Sequence, residues 1–113
     1  MEADFIFIDE NDDNLKKTFH RKLYYNLICS IIIDFFGKTL VDNDFHKYFV
    51  DYLNHLKDFD DVYFLTSETA YYWAICIIEN NKTNTQLNNK QLQEYSAFYR
   101  NFLHENKISK FIE

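Results

Sequence analysis

Asp44, Tyr48, Asp51, His55 and Asp58 follow one another at intervals of three or four residues, and Asp60 and Asp61 come directly after. Such intervals gather side chains on one face of a helix, here a run of carboxylates that includes a phenol and an imidazole. Two kinds of chemistry are open to such an arc. A carboxylate four residues before an imidazole, as Asp51 stands before His55, can orient the ring for proton transfer or metal binding. Two side chains are too few for a metal, however, and His20, His46 and His104 are scattered, with no HExxH or HxxxH pair. The second possibility is recognition. Carboxylates steer a basic surface toward the face, and a tyrosine can anchor it by burial. Asp44, Asp51 and Asp58 stand seven residues apart, which keeps them within about 40° of each other on a helix, able to meet one patch of Lys or Arg together. The ordinary explanation of the same residues is a solvated helix face.

Other catalytic patterns are missing from the sequence. There is no GxSxG or SxxK nucleophile motif, and a single glycine cannot build a phosphate-cradling loop. Ser67, in Thr66-Ser67-Glu68-Thr69, is best explained as a helix cap. Asp9 to Asp13 superficially matches a calcium loop but lacks its central glycine and closing glutamate, and reads instead as a helix entrance with acids at the positive end. Cys29 and Cys76 lie in apolar runs without a CxxC or Cys-His neighbour, where a cysteine acts as a small buried hydrophobe. The expectation is a protein without catalytic residues, metal or cofactor. One alternative is a small enzyme or ligand-binding domain whose pocket is lined by Tyr24, Tyr25, Tyr71, Tyr72 and Trp73, with His and Asp from different helices. Another is a helical regulatory homodimer.

The elements that would carry the arc are helical. Tyr71 to Ile78 has no charged residue, and a helix apolar on all sides must be surrounded by others. This predicts a central helix over 67–80, opened by Thr66-Ser67-Glu68 and closed by Asn80-Asn81-Lys82. Leu15, Phe19, Leu23, Leu27, Ile31 and Phe35 recur every four residues and predict a first helix over 13–36, its end buried, stopped by a left-handed Gly37. Asp42-Asn43-Asp44 caps a second helix over 43–57, with Phe45, Phe49, Tyr52, Leu53 and Leu56 inward and the acidic arc outward. Val62 to Leu65 is expected to be extended or a single helical turn. Asn88 or Asn89 starts a last helix over 89–105 with an apolar stripe of Leu92, Tyr95, Tyr99, Phe102 and Leu103, and Asn81 to Gln86 forms a solvated loop before it. Phe5 to Ile8, with no obvious partner strand, is expected to pack as an extended arm. The predicted fold is all-α: one compact, irregular domain over 1–113 of about four main helices, with an N-terminal arm (1–12) and a C-terminal tail (106–113) that docks back or meets a partner.

Composition agrees with this reading. No proline and one glycine argue against an all-β fold with its many turns. A net charge of −6 disfavours the backbone of DNA or RNA as a ligand and favours basic partners. The apolar run after the acidic start is too short for a signal-peptide core, and no run approaches a membrane span, so the expected location is the cytoplasm. Abundant Asn, Lys, Ile and Tyr is the usage of an AT-rich genome, as in a bacterium, phage or protist. The function these features favour is a small acidic protein-binding module of the immunity or antitoxin type, masking a basic toxin such as a nuclease through Asp44, Tyr48, Asp51, His55, Asp58, Asp60 and Asp61.

Overall fold

The computed structural model describes residues 1–81 and 86–113. Most of the solvated loop expected before the last helix, Lys82 to Thr85, thus lies outside the described residues, as does Lys82 in the predicted closure of the central helix. The fold is mostly helical, with five α-helices among the described residues, but it is not all-α. Phe5–Asp9 (β1) and Leu15–Phe19 (β2) pair as an antiparallel hairpin in the register Phe5↔Phe19, Phe7↔Lys17, Asp9↔Leu15.

This hairpin replaces the extended arm and the first two turns of the predicted first helix. Its turn depends on Asp13 and Asn14, both at positive φ (53° and 55°), a conformation that short polar side chains tolerate. The Leu15 amide closes the turn on the Asp12 carbonyl at 3.0 Å. Lys17 then clamps it, with Nζ 2.9 Å from Asp9 and 2.7 Å from Asp12. Asp9 to Asp13 is therefore a hairpin turn and not a helix entrance. Phe7 and Phe19 point into the core, and Ile6 and Ile8 remain exposed on the outer face opposite Thr18 and Lys16. The C-terminal segment covers the other edge of β2: Thr18 and Glu113 exchange backbone hydrogen bonds, and the His20 amide donates to the Phe111 carbonyl at 2.9 Å.

The first helix, α1 (Arg21–Ser30), continues as a π-helical turn over Ile31–Phe35, where the Phe36 amide reaches the Ile31 carbonyl. The extra residue per turn turns Ile33 outward while Ile31 and Ile32 stay buried, so this end is less buried all round than its sequence predicts. Gly37, at φ +63°, ends the helix as expected.

Helix α2 (Asp44–Asn54) is capped by Asn43, whose side chain accepts from the His46 amide at 2.9 Å. Val62 to Leu65 belongs to a further helix, α3 (Phe59–Thr66), so the four predicted helices become five. Ser67 closes α3, and its hydroxyl donates back to the Phe64 carbonyl at 2.7 Å. The cap of the next helix, α4 (Ala70–Ile78), is Thr69. No residue of α4 is exposed, and it packs against α1, the π turn and α2. Asn80 and Asn81 take positive φ at its end. The Asn80 side chain there accepts from the Phe45 amide, tying the end of α4 to the start of α2.

Helix α5 (Asn89–Glu105) begins with a capping box in which Asn88 and Gln91 exchange side-chain and backbone hydrogen bonds. Leu92, placed by its spacing in the apolar stripe, is exposed. The helix reaches the body through rings: Tyr95 meets Phe35 and Tyr71, Phe98 meets Phe35, and Tyr99 and Phe102 meet Phe111.

Candidate partner-binding face

The acidic arc begins on α2. Phe49, Leu53 and, just beyond the helix, Leu56 are buried, so the helical period turns Asp44, Tyr48, Asp51 and His55 to solvent. Asp51 and His55 meet as their spacing predicts. His55 Nδ1 lies 3.2 Å from the Asp51 carboxylate and 2.8 Å from the Asp51 carbonyl. Both side chains are exposed, so the pair holds an imidazole against the surface without enclosing it. Phe45 and Tyr52, expected on the inner face, lie half-buried at its two margins.

The remaining three acids belong to the start of α3 and behave differently. Asp58 is the N-cap, with Oδ1 accepting from the amides of Asp60 (3.1 Å) and Asp61 (3.3 Å). Asp61 Oδ2 accepts from the Lys57 amide at 2.7 Å, and its carbonyl accepts from the Tyr52 hydroxyl at 2.7 Å. These carboxylates hold the turn between α2 and α3, where backbone amides and the positive end of the helix favour them. Asp60 is exposed.

Sequence reasoning missed Phe64. In α3, Val62 and Leu65 are buried, which turns Tyr63 and Phe64 outward. Phe64 and Tyr48 line one open groove of about 650 Å³ together with Tyr72, Trp73 and Asp44. Tyr48 is 61% and Phe64 56% exposed. The signal was present in Val62 to Leu65, since two inward residues three apart leave their neighbours outside once the stretch is read as a helix.

The five aromatic residues expected to share one pocket are dispersed. Tyr24 lines a cavity beside α5, Tyr25 a shallow hollow with Asp42 and His46, and Tyr72 and Trp73 the groove just described. Tyr71 packs edge-on against Tyr95. His46 is buried, its Nδ1 2.8 Å from the Val41 carbonyl and its Nε2 2.8 Å from the Tyr25 hydroxyl. A carbonyl only accepts, so Nδ1 carries the proton and Tyr25 donates to Nε2. Burial, followed by the neighbouring Cys29, pushes the Tyr25 hydroxyl up. The thiols of Cys29 and Cys76 are both free and are pushed up by burial, which lowers their reactivity.

Among the described residues, no three His, Cys, Asp or Glu side chains come together as a metal site, and no helix is long and apolar enough to cross a membrane. Comparison with protein families, curated proteins and solved structures finds no match for this chain.

Proposed function

We propose that the chain is a small acidic protein-binding module of the inhibitory, immunity type. It acts without catalysis in the bacterial cytoplasm, neutralising a basic partner such as a nuclease toxin by covering its surface. The observation that carries this reading is the Tyr48–Phe64 groove: two aromatic side chains more than half exposed line one groove with Trp73 and Asp44. A face that is only solvated carries charges. This one adds two exposed rings in a groove lined by Tyr72 and Trp73, the type of residue that dominates binding energy once a partner excludes water. Asp44 and Asp51, one turn to either side of Tyr48, supply the charge that draws a basic surface in. On this reading α4 is the central frame of the module, because Tyr72 and Trp73 line the groove from a helix with no exposed residue.

The test is site-specific photocrosslinking in the native host from position 48, with position 16 on the hairpin as control. The expected product is a basic protein captured from position 48 alone. Once purified, that protein should bind the chain at 1:1, lose its activity in the complex, and bind Tyr48→Ala at least about tenfold more weakly, as for a hot-spot residue. Equal capture from both positions, or unimpaired binding of Tyr48→Ala, would place the interface elsewhere.

A further inference from the structure

The cavity beside α5 lies apart from the acidic face and has the opposite character. It holds about 580 Å³, within the range of small-molecule sites. Three tyrosines line it, Tyr24 from α1 and Tyr95 and Tyr99 from successive turns of α5, with Phe111 from the C-terminal segment. Tyr99 and Tyr24 both lean on Phe111, at centroid distances of 5.8 and 5.3 Å. These wide rings hold α5 off the body and leave the space between them open.

Polar groups converge on that space. Arg100 and Lys110 line it, and neither forms an ion pair among the described residues. Glu68 adds one carboxylate to the same lining. In a chain of net charge −6, the cavity is thus a local excess of one positive charge. The start of α4 contributes as well. Thr69 caps only the Tyr72 amide, and the backbone of Ala70 and Tyr71 at the helix start lies beside the Tyr95 hydroxyl. A phenol can accept there and still donate its own proton into the cavity.

Tyr24 adds a hydroxyl to the same space. Its side chain is 4% exposed, and its hydroxyl makes no hydrogen bond to any described residue. That hydroxyl is not sealed off from solvent, so it opens into the cavity that Tyr24 lines and can donate to what occupies it. Burial, together with the nearby hydroxyls of Tyr95 and Tyr99, pushes it up and keeps it a donor.

We infer that this cavity binds a small aromatic monocarboxylate, its ring against Tyr99 and Phe111 and its carboxylate among Arg100, Lys110 and the hydroxyls of Tyr24 and Tyr95. The single excess charge suits a monoanion over a phosphate dianion, and Glu68 repels the second charge. The aromatic walls select a flat body, and the two cations with two hydroxyl donors match the acceptor sites of one carboxylate.

The probes are 1-naphthoate and its neutral isostere 1-naphthamide, titrated into the intact chain by calorimetry at neutral pH and followed by NMR. Naphthoate is expected to bind at 1:1 and to move the ring resonances of Tyr24, Tyr99 and Phe111, with naphthamide at least about tenfold weaker, as for the loss of a charge-assisted contact. Arg100 and Lys110 are exposed, so Arg100→Gln with Lys110→Gln should keep the melting temperature and weaken naphthoate by about tenfold or more. Tyr24→Phe should keep the fold and weaken naphthoate while leaving naphthamide unchanged. No binding up to millimolar naphthoate, equal binding of the amide, undiminished binding by the double variant, or shifts confined to Tyr48 and Phe64 would each overturn the assignment.

Discussion

Arg21 and Leu53 are joined across the core: the buried guanidinium donates from Nη1 to the Leu53 carbonyl at 3.0 Å. That carbonyl lies in the last turn of α2, where helix geometry leaves acceptors unpaired and negative. Arg21 also donates from Nε to the Glu2 carbonyl at 3.1 Å, so one side chain pins the N-terminal segment and α2 to the start of α1. Arg21→Met keeps the length and removes the donors. It should cost about 1–3 kcal/mol in urea unfolding, the range for leaving a buried acceptor unmet. Arg21→Lys should recover little, because an ammonium lacks the fork that reaches both carbonyls. A change within the scatter of ordinary surface substitutions would show that water replaces the guanidinium freely.

Trp73 joins α4 to α3 in a similar way, its indole N–H donating to the Leu65 carbonyl at 2.9 Å. Trp73→Phe keeps most of the packing and should cost about 1–3 kcal/mol. Trp73→Ala also opens a cavity against Phe49 and should cost about 3–5 kcal/mol. Equal losses in the two variants would assign the effect to volume alone.

The two groups of acids should separate in a single experiment. Asp51→Asn should leave the melting temperature unchanged and slow association with the basic partner at low ionic strength, the difference shrinking as salt rises. Asp58→Ala should cost about 1 kcal/mol whether or not a partner is present, and Asp58→Asn almost nothing, since asparagine caps equally well. A stability loss in Asp51→Asn, or none in Asp58→Ala, would reverse these assignments.

Acid should loosen the C-terminal segment. The Ser109 amide, the Ser109 hydroxyl and His20 hold the Glu113 carboxyl down, at about 2 against an ordinary 4.5. A group depressed in the folded state adds stability that is full above its unfolded value and disappears as pH falls through the folded one. The contribution is therefore complete above pH 4.5 and lost toward pH 2. NMR titration of the carboxyl should show the depressed midpoint, and Glu113→Gln should flatten the dependence of the melting temperature in that window. An ordinary midpoint would mean that the segment is not held by this carboxylate in solution.

How much of this was legible depends on how local each cause is. Gly37, Asn43 and Asn88 end or start helices through groups within a few residues, so the sequence marks Gly37 outright and narrows the two caps to Asp42-Asn43-Asp44 and to Asn88 or Asn89. Leu15 and Phe19 misled because they stand four residues apart, an interval that keeps side chains on one face of a strand as well as a helix. Only the partners of β2 decide between the two, and they come from residues 5–9 and from Ile112. Asp58 and Asp61 are visible in the sequence as a cluster, but the amides they accept from at the start of α3 are seen only once that stretch is known to be a helix. Tyr24 with Tyr25, and Tyr71 with Tyr72, were grouped as one pocket although neighbours on a helix diverge by 100°. The Tyr24, Tyr95 and Tyr99 cavity joins residues about seventy positions apart and has no sequence signal of its own.

The position of β2 between its two partners sets an order of assembly. The β1 edge closes over a five-residue turn, an event of about 1–10 μs. The other edge joins Thr18 to Glu113, almost the full span of the described chain, and must wait until the intervening helices bring those ends together. One strand thus acquires its hydrogen bonds at two separate times. In pulse-labelling during refolding, the Phe7 amide, turned toward β1's partner strand, should gain protection before those of Thr18 and His20, which are held by the last residues to arrive.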